Sequence, residues 1–579
     1  MRAHRARKIG LSNLRDTGCL EAIALELKSC VIRAIAPKGA TVSSMIKSGF
    51  NPKAIHTLLS NKPSLQLAIA LSSGLLMGTT PAPGNLWFVA WIALVPLWIL
   101  VNSTSKAQTL KFKWLLGFLW GVGYHGLAIS WIRDLHPLTW MGVPWLASIA
   151  IALFAWSAST LWGGLLVSTW SWGMAFLSQR VSDRTPSPWL RILVGVALWC
   201  GLESLWSTGA LWWTSLSFTQ SPHNLAILHL GQISGPNTVV AAIVTINGLL
   251  AESWLSLFPP RPTPHTPHPK NYLAIALGLL ITLHLIGFGL YLQPLTDQPI
   301  AGLRIGIVQG NIPTRIKLFE EGISRAIAAY TNGYRALANQ GVDAVLMPEG
   351  ALPYYWIGAN RARDPLYQAI ADKGIPLWLG TPGLRNGRVT QSLFSINGQG
   401  DEIGRYDKIK LVPLGEYIPF ESIVGRFISR LSPVEASMVL GKPNQHFDTP
   451  FGRAIAGICY DSAFTRLFRN QAATGGQFII TASNNDPYGA AMMTQHHAQD
   501  VMRAIESDRW AVRATNTGFS GVVDPHGHTV WISDFRTYQT HVAIIFRRQT
   551  QTPYVRWGDW LTPSLLVMAT LAWLGHRLT

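Results

Sequence analysis

Glu349, Lys408 and Cys459 are the residues of this 579-residue chain whose types could together attack a carbonyl carbon. Cys459 follows the apolar run Ala454-Ile455-Ala456-Gly457-Ile458. A thiol becomes a nucleophile when a neighbouring base or cation favours its thiolate. Glu349 follows an apolar run and Pro348, and a carboxylate shielded from water at a strand end can take the thiol proton. Lys408 lies in Arg405-Tyr406-Asp407-Lys408-Ile409-Lys410-Leu411-Val412-Pro413-Leu414-Gly415-Glu416. Its ammonium can hold the oxyanion that forms as a thiolate adds to a carbonyl. Singly, each has a plainer reading: a Cys after an apolar strand packs, a strand-end Glu caps a helix, and a loop Lys is solvated.

The elements that must position these residues alternate between strand and helix. Strands are expected over 303–309, 342–347, 377–380, 393–397, 402–406, 454–458, 478–482, 511–514 and 521–523, with a helix over 316–339. Glu349 and Cys459 then sit at the ends of buried strands, where α/β folds gather reactive groups. The expected catalytic domain spans 302–547.

The remainder has a different composition. Only 13 charged residues fall within 66–292, against 63 in the rest of the chain. Charged residues make up 13% overall, about half the level usual in soluble domains. A spanning helix needs about 20 mostly apolar residues. Candidate spans are 65–80, 86–101, 115–131, 143–169, 190–206, 233–257, 272–292 and 561–578. The expected class is therefore a polytopic α-helical membrane bundle of about eight spans plus an α/β domain. Its parts are a basic cytoplasmic arm over 1–64, a seven-helix membrane domain over 65–292 and a C-terminal transmembrane helix over 561–578. Lys106, Lys111 and Lys113, then Arg180, Arg184 and Arg191, then Arg261 and Lys270 fall in alternate loops on the same side as the basic arm. The positive-inside rule puts that side in the cytoplasm and the catalytic domain across the membrane.

Other features have plain readings. No aromatic platform interleaves with the basic arm, so no nucleic acid is expected. His496-His497 with Asp500 fits a polar helix face better than a metal site, and Glu203 within a span is a functional candidate that a structural hydrogen bond to a neighbouring helix explains at least as well. Cys19, Cys30 and Cys200 form no zinc or disulfide pattern with Cys459.

Pro-Glu-Gly at Glu349, Tyr-Asp-Lys-x-x-Leu-Val-Pro-x-Gly-Glu through Lys408 to Glu416, and Ile-Cys-Tyr-Asp at Cys459 together resemble the nitrilase superfamily in order and spacing. With spans before and after that domain, the chain resembles the superfamily's membrane-bound branch, the apolipoprotein N-acyltransferase family. Val308-Gln309-Gly310-Asn311-Ile312-Pro313 is similar to that family's domain opening, Trp87–Leu97 to its N-terminal hairpin, and Trp199, Glu203, Trp212, Trp213 and Asn247 to its middle spans. The resemblance implies a four-layer α-β-β-α sandwich. It implies Cys459 as nucleophile, Glu349 as general base, Lys408 as oxyanion stabiliser, Glu416 as a second Glu orienting Lys408, and Tyr460 lining the site. Asp461 stands where the family usually has Glu, Leu318 where it commonly has a lipid-facing Trp, and Gln391 where it has Asn. Ser483-Asn484-Asn485-Asp486-Pro487-Tyr488-Gly489 loosely matches a substrate loop. Leu318, Gln391 and Pro487 are thus the implied substrate contacts.

The implied reaction is a two-step acyl transfer in the bacterial plasma membrane. A phospholipid acyl donor leaves a thioester on Cys459, and the N-terminal amine of a diacylglyceryl-apolipoprotein acceptor takes the chain. No metal or organic cofactor is needed. A membrane-tethered amidase using water would employ the same three residues. A transporter or lipid-binding scaffold would need none of them.

Overall fold

A computed structural model of the chain describes residues 62–103, 109–177, 186–257, 269–295, 302–356, 363–413, 415–417 and 438–578. The expected basic arm lies outside the described residues up to position 61, as do Lys106, Arg180, Arg184 and Arg261 of the loops used for orientation.

The α/β part is two six-stranded sheets, ordered β12-β1-β2-β3-β4-β5 and β11-β10-β9-β8-β7-β6. In the first, β1 (Gly302–Gln309), β2 (Ala344–Leu346) and β3 (Leu377–Arg385) run parallel. The strands β4 (Arg388–Ile396), β5 (Glu402–Asp407) and β12 (Gln539–Phe546) are added antiparallel. In the second, β7 (Gly452–Ile458), β8 (Ile479–Ser483) and β9 (Ala511–Thr515) run parallel. Around them, β6 (Phe447–Thr449), β10 (Gly521–Val523) and β11 (Thr529–Ile532) are antiparallel.

Side-chain alternation along a strand explains the layering. Leu303, Ile305 and Ile307 of β1 face Ala454, Ala456 and Ile458 of β7 in one core between the sheets, with Trp378 and Phe478. The intervening positions face outward. Val308, Val345 and Leu379 meet the helices Glu320–Ala338 and Pro365–Lys373. Ile455, Ile479 and Ala511 meet Thr465–Ala473 and Ala490–Ser507. In Glu320–Ala338 the buried residues Ala326, Tyr330, Tyr334 and Leu337 recur at helical spacing, while Glu321 and Arg325 pair on the water side. The layers are α-β-β-α, as expected.

The helical part differs from the expectation in detail. Among the described residues four helices are long and apolar enough to cross a membrane: Trp145–Leu177, Pro188–Trp206, Pro236–Leu255 and Pro269–Tyr291. The helix Pro63–Gly78 has 16 residues, about 24 Å at 1.5 Å per residue and short of a ~30 Å hydrocarbon layer. The segment expected at 86–101 is split into a 3-10 turn, Trp87–Trp91, and a short helix, Val95–Asn102, with Pro96 in its first turn. Proline lacks the N–H that a continuous helix would need there. The Asn247 side chain fills the break, donating to the Ala90 carbonyl at 2.9 Å and accepting from the Leu94 N–H at 2.9 Å. Leu110–Ala128 carries Lys111 and Lys113, and Leu561–Leu578 carries His576 and Arg577, which lower their apolar character. Glu203 accepts from Trp199 Nε1 at 2.9 Å, Ser215 Oγ at 2.6 Å and the Leu216 N–H at 3.0 Å. These bonds tie Glu203 to its own helix and to the turn that follows it, not to a neighbouring spanning helix.

Candidate active site

The β2 strand runs into Pro348-Glu349-Gly350, where Gly350 takes φ +58°. Position 380 on neighbouring β3 must be glycine, since a Cβ there would lie 2.3 Å from the Pro348 carbonyl oxygen. This close approach fixes where Glu349 emerges. The β7 strand ends at Cys459, which begins the 3-10 turn Cys459–Ala463 with φ +48°. A left-handed conformation at a non-glycine residue costs on the order of 1 kcal/mol or more and needs bracing. Asp461 supplies it, accepting from the Ile458 N–H at 3.1 Å, the Lys410 N–H at 2.8 Å and the Tyr406 hydroxyl at 3.1 Å. The shorter carboxylate at this position is fully used in holding the turn.

Lys408 follows β5 and reaches both acids. Its Nζ lies 2.9 Å from Glu349 Oε1 and 2.6 Å from Glu416 Oε1. Each acid has a second anchor: Glu349 Oε2 accepts from the Asn484 N–H at 2.8 Å, and Glu416 Oε2 from the Val412 N–H at 2.8 Å. Glu349, Lys408 and Cys459 are all at least nine-tenths buried. Burial works against the charge on Lys408, but Glu349 and Glu416 more than offset it and hold the ammonium well above its usual range. Burial pushes the Cys459 thiol up, aided by Glu349 and Glu416 and opposed by Lys408 and Arg513, so at rest it is a neutral thiol. Burial also raises the Glu416 carboxyl, with Lys408 opposing. Asp461 is pushed up to about 6 by burial, against Lys408 and its own hydrogen bonds.

A cavity of about 350 Å³ ends at Cys459 and Tyr460. Its walls come from the helical bundle, with Trp131, Phe154, Trp162 and Trp213 among them, and from Tyr488 of the α/β domain. It is lined mainly by apolar side chains. Tyr460 joins the two parts: its hydroxyl donates to the Ala210 carbonyl at 2.7 Å, lies 2.9 Å from the Trp212 carbonyl, and accepts from the Trp212 N–H at 3.0 Å. Gln495 Oε1 accepts from Trp131 Nε1 at 2.9 Å and Trp213 Nε1 at 2.7 Å, fixing two of the walls.

Of the implied substrate contacts, none lines this cavity. Leu318 is 72% exposed, Gln391 receives the Lys408 N–H on its backbone carbonyl at 2.8 Å, and Pro487 is half-buried beside the wall residue Tyr488.

Other residues reach the site: His496 and Asp500, expected only on a polar helix face, are buried here, and Asn485 of the loosely matched loop and Lys317 join them. Asn485 places Oδ1 at 3.8 Å from Cys459 Sγ. His496 puts Nε2 at 2.9 Å from the Cys459 carbonyl oxygen, and Arg513 bridges His496, Ser483 and Asp500 behind it. His496, and Asp500 through Arg513, thus brace the Cys459 backbone. Lys317 is buried, with no hydrogen-bond partner for Nζ among the described residues. Burial lowers its ammonium to about 8 against the pull of Glu349 and Asp486. Its only sequence signal is a lysine beside Leu318 in a segment otherwise read as an ordinary helix start.

Residues 304–540 match the carbon-nitrogen hydrolase family, and residues 73–249 the apolipoprotein N-acyltransferase N-terminal domain. Over 498 residues the chain is 57% identical to the apolipoprotein N-acyltransferase of Nostoc sp. (strain PCC 7120 / SAG 25.82 / UTEX 2576), covering 86% of this chain and 97% of that one. The chain belongs to the apolipoprotein N-acyltransferase family. It is 45% identical over 510 residues to the enzyme of that name from Synechocystis sp. (strain ATCC 27184 / PCC 6803 / Kazusa), covering 86% and 98% of the two chains. Among solved structures it is similar to Saccharomyces cerevisiae Nit3, a member of branch 10 of the nitrilase superfamily, at 17% identity and TM-score 0.34 over 43% of this chain and 93% of that one. The α/β part is a nitrilase-like domain, and the family to which the chain belongs is one of acyltransferases.

Proposed function

We propose that this chain moves an acyl chain from a membrane phospholipid to the N-terminal α-amine of a diacylglyceryl-cysteine apolipoprotein, through a thioester on Cys459. The observation that carries this reading is the meeting of the Glu349–Lys408–Glu416 cluster and Cys459 with a cavity walled by apolar side chains of the helical bundle.

The first step begins from a neutral thiol. Glu349 takes the proton from Cys459 Sγ as the sulfur adds to the ester carbonyl. Lys408 and a backbone N–H near Tyr460 hold the oxyanion. The tetrahedral adduct collapses, the C–O bond breaks, and Glu349 returns the proton to the departing lysophospholipid oxygen. In the second step the free amine adds to the thioester and passes its proton to Glu349. The C–S bond breaks, the thiolate recovers the proton, and an amide departs. Glu416 orients Lys408 throughout. The cavity holds the acyl chain and keeps water from the thioester.

In this reading the bundle over 65–292 and the helix over 561–578 make about eight crossings, the arm over 1–64 is cytoplasmic, and the domain over 302–547 works on the periplasmic face of the plasma membrane. Leu318, Gln391 and Pro487 meet substrate only at the mouth of the site. Incubation of the purified chain with phospholipid and a diacylglyceryl peptide should give lysophospholipid and an N-acylated peptide in equal amounts by mass spectrometry. Free fatty acid in place of the acylated peptide would make the chain a hydrolase.

A further inference from the structure

The loop between β10 and β11 reads Asp524-Pro525-His526-Gly527-His528. It closes tightly: the Gly527 N–H donates to the Asp524 carbonyl at 2.9 Å, the Asp524 N–H to the His528 carbonyl at 3.0 Å, and Gly527 takes φ +84°. This turn brings donor atoms of Asp524, His526 and His528 within 4.8 Å of one another. The helical bundle adds two residues to the same cluster. Tyr291, at the end of Pro269–Tyr291, has its ring 5.3 Å from that of His526 and 5.5 Å from that of His528. His229, at the end of Leu225–His229, has its ring 5.9 Å from that of His526.

The hydrogen bonds set out which ring nitrogens are free. His229 Nδ1 donates to the Leu225 carbonyl at 2.8 Å, which leaves Nε2 as a bare lone pair. That atom is buried and has no partner among the described residues, and the residue itself has no exposure. His526 Nε2 donates to the Gln293 carbonyl at 2.9 Å, leaving its Nδ1 lone pair. A histidine whose second nitrogen is held by a backbone carbonyl is the arrangement that presents a neutral imidazole to a metal. His528 is shared between Asp524 Oδ2 and the Tyr291 hydroxyl, each at 2.8 Å, so it can exchange one of those bonds for a ligand bond.

We infer that Asp524, His526 and His528, with His229 as fourth ligand, form a structural site for a divalent transition metal that joins the bundle to the catalytic domain. Nitrogen and carboxylate donors in a tetrahedral set suit Zn²⁺ best, and Co²⁺ can replace it as a spectroscopic probe. The cluster shares no residue with the Cys459 cavity, so the metal takes no part in acyl transfer.

The test uses the full chain in detergent, carrying an affinity tag without histidine and stripped with chelator. Cobalt chloride titration should give a saturable visible absorption of tetrahedral Co²⁺ at one ion per chain, and zinc chloride should displace it. The double substitution His526→Ala/His528→Ala should abolish uptake, and His229→Ala should weaken it about tenfold or more. Cys459→Ser should leave it unchanged. No saturable uptake by the wild-type chain would overturn the site, and this result needs no variant to fold. Undiminished uptake in the double variant, or in Asp524→Asn with His229→Gln, would place the ion elsewhere and overturn it equally.

Discussion

Two of the buried cation–carboxylate clusters among the described residues are built differently. In the bundle, Arg191 donates to both oxygens of Glu252, at 2.8 Å from Nε to Oε1, and Trp98 Nε1 adds a third bond at 3.1 Å. One charge meets one charge, and every oxygen is answered. In the α/β domain two carboxylates, Glu349 and Glu416, share one cation, Lys408, beside the Cys459 thiol. A matched pair is a fastener, whereas an unmatched set can move protons.

The largest difference should appear when each cluster loses its cation. Lys408→Met should lower kcat per folded molecule by three orders of magnitude or more, a loss of about 4 kcal/mol of transition-state stabilisation, beyond the stability lost by leaving Glu349 and Glu416 without their cation. Arg191→Met should lower stability alone: it leaves Glu252 buried without its partner, which costs about 3–5 kcal/mol. The surviving folded fraction should keep a near-normal rate, and equal loss of rate in both variants would erase the distinction. Glu416→Gln should fall between, lowering kcat by about 10–100-fold, because Lys408 keeps Glu349 but loses its orientation.

A separate effect, on stability and not on rate, concerns Lys317. Its ammonium is lowered by burial from 10.5 to about 8. Between these values the unfolded chain binds more protons than the folded one, so stability rises with pH across that window. The rise should amount to about 3 kcal/mol in thermal or denaturant unfolding, and Lys317→Met should flatten it. A slope unchanged in the variant would assign the titration to another group. The smallest effect should be that of Leu318→Ala, which removes a side chain 72% exposed and should change stability by no more than about 0.5 kcal/mol.

How much of this was legible in the sequence depended on range. Continuous apolar runs marked the strands that carry Glu349 and Cys459, and the motif spacing joined them to Lys408 and Glu416. Apolar length found the helices but overstated their continuity at 86–101, because hydropathy does not register the lost N–H of Pro96 or the bond from Asn247 that fills the break. The site contacts of His496, Asn485 and Lys317 stayed hidden because each is distant in sequence, with the Cys459 carbonyl, the Cys459 sulfur and the Glu349 turn respectively. Leu318, Gln391 and Pro487 were read from correspondence of motif positions, and such correspondence does not fix which side chains turn toward a cavity.

The central claim is that Cys459 carries the chain in transit. Intact-mass analysis of the full protein after incubation with phospholipid alone tests it most directly. The expected result is one acyl adduct mapped to Cys459 by peptide sequencing, absent from Cys459→Ser and Glu349→Gln, and discharged when a diacylglyceryl peptide amine is added. Turnover with no adduct in the wild type, or an adduct that persists in Cys459→Ser, would contradict it.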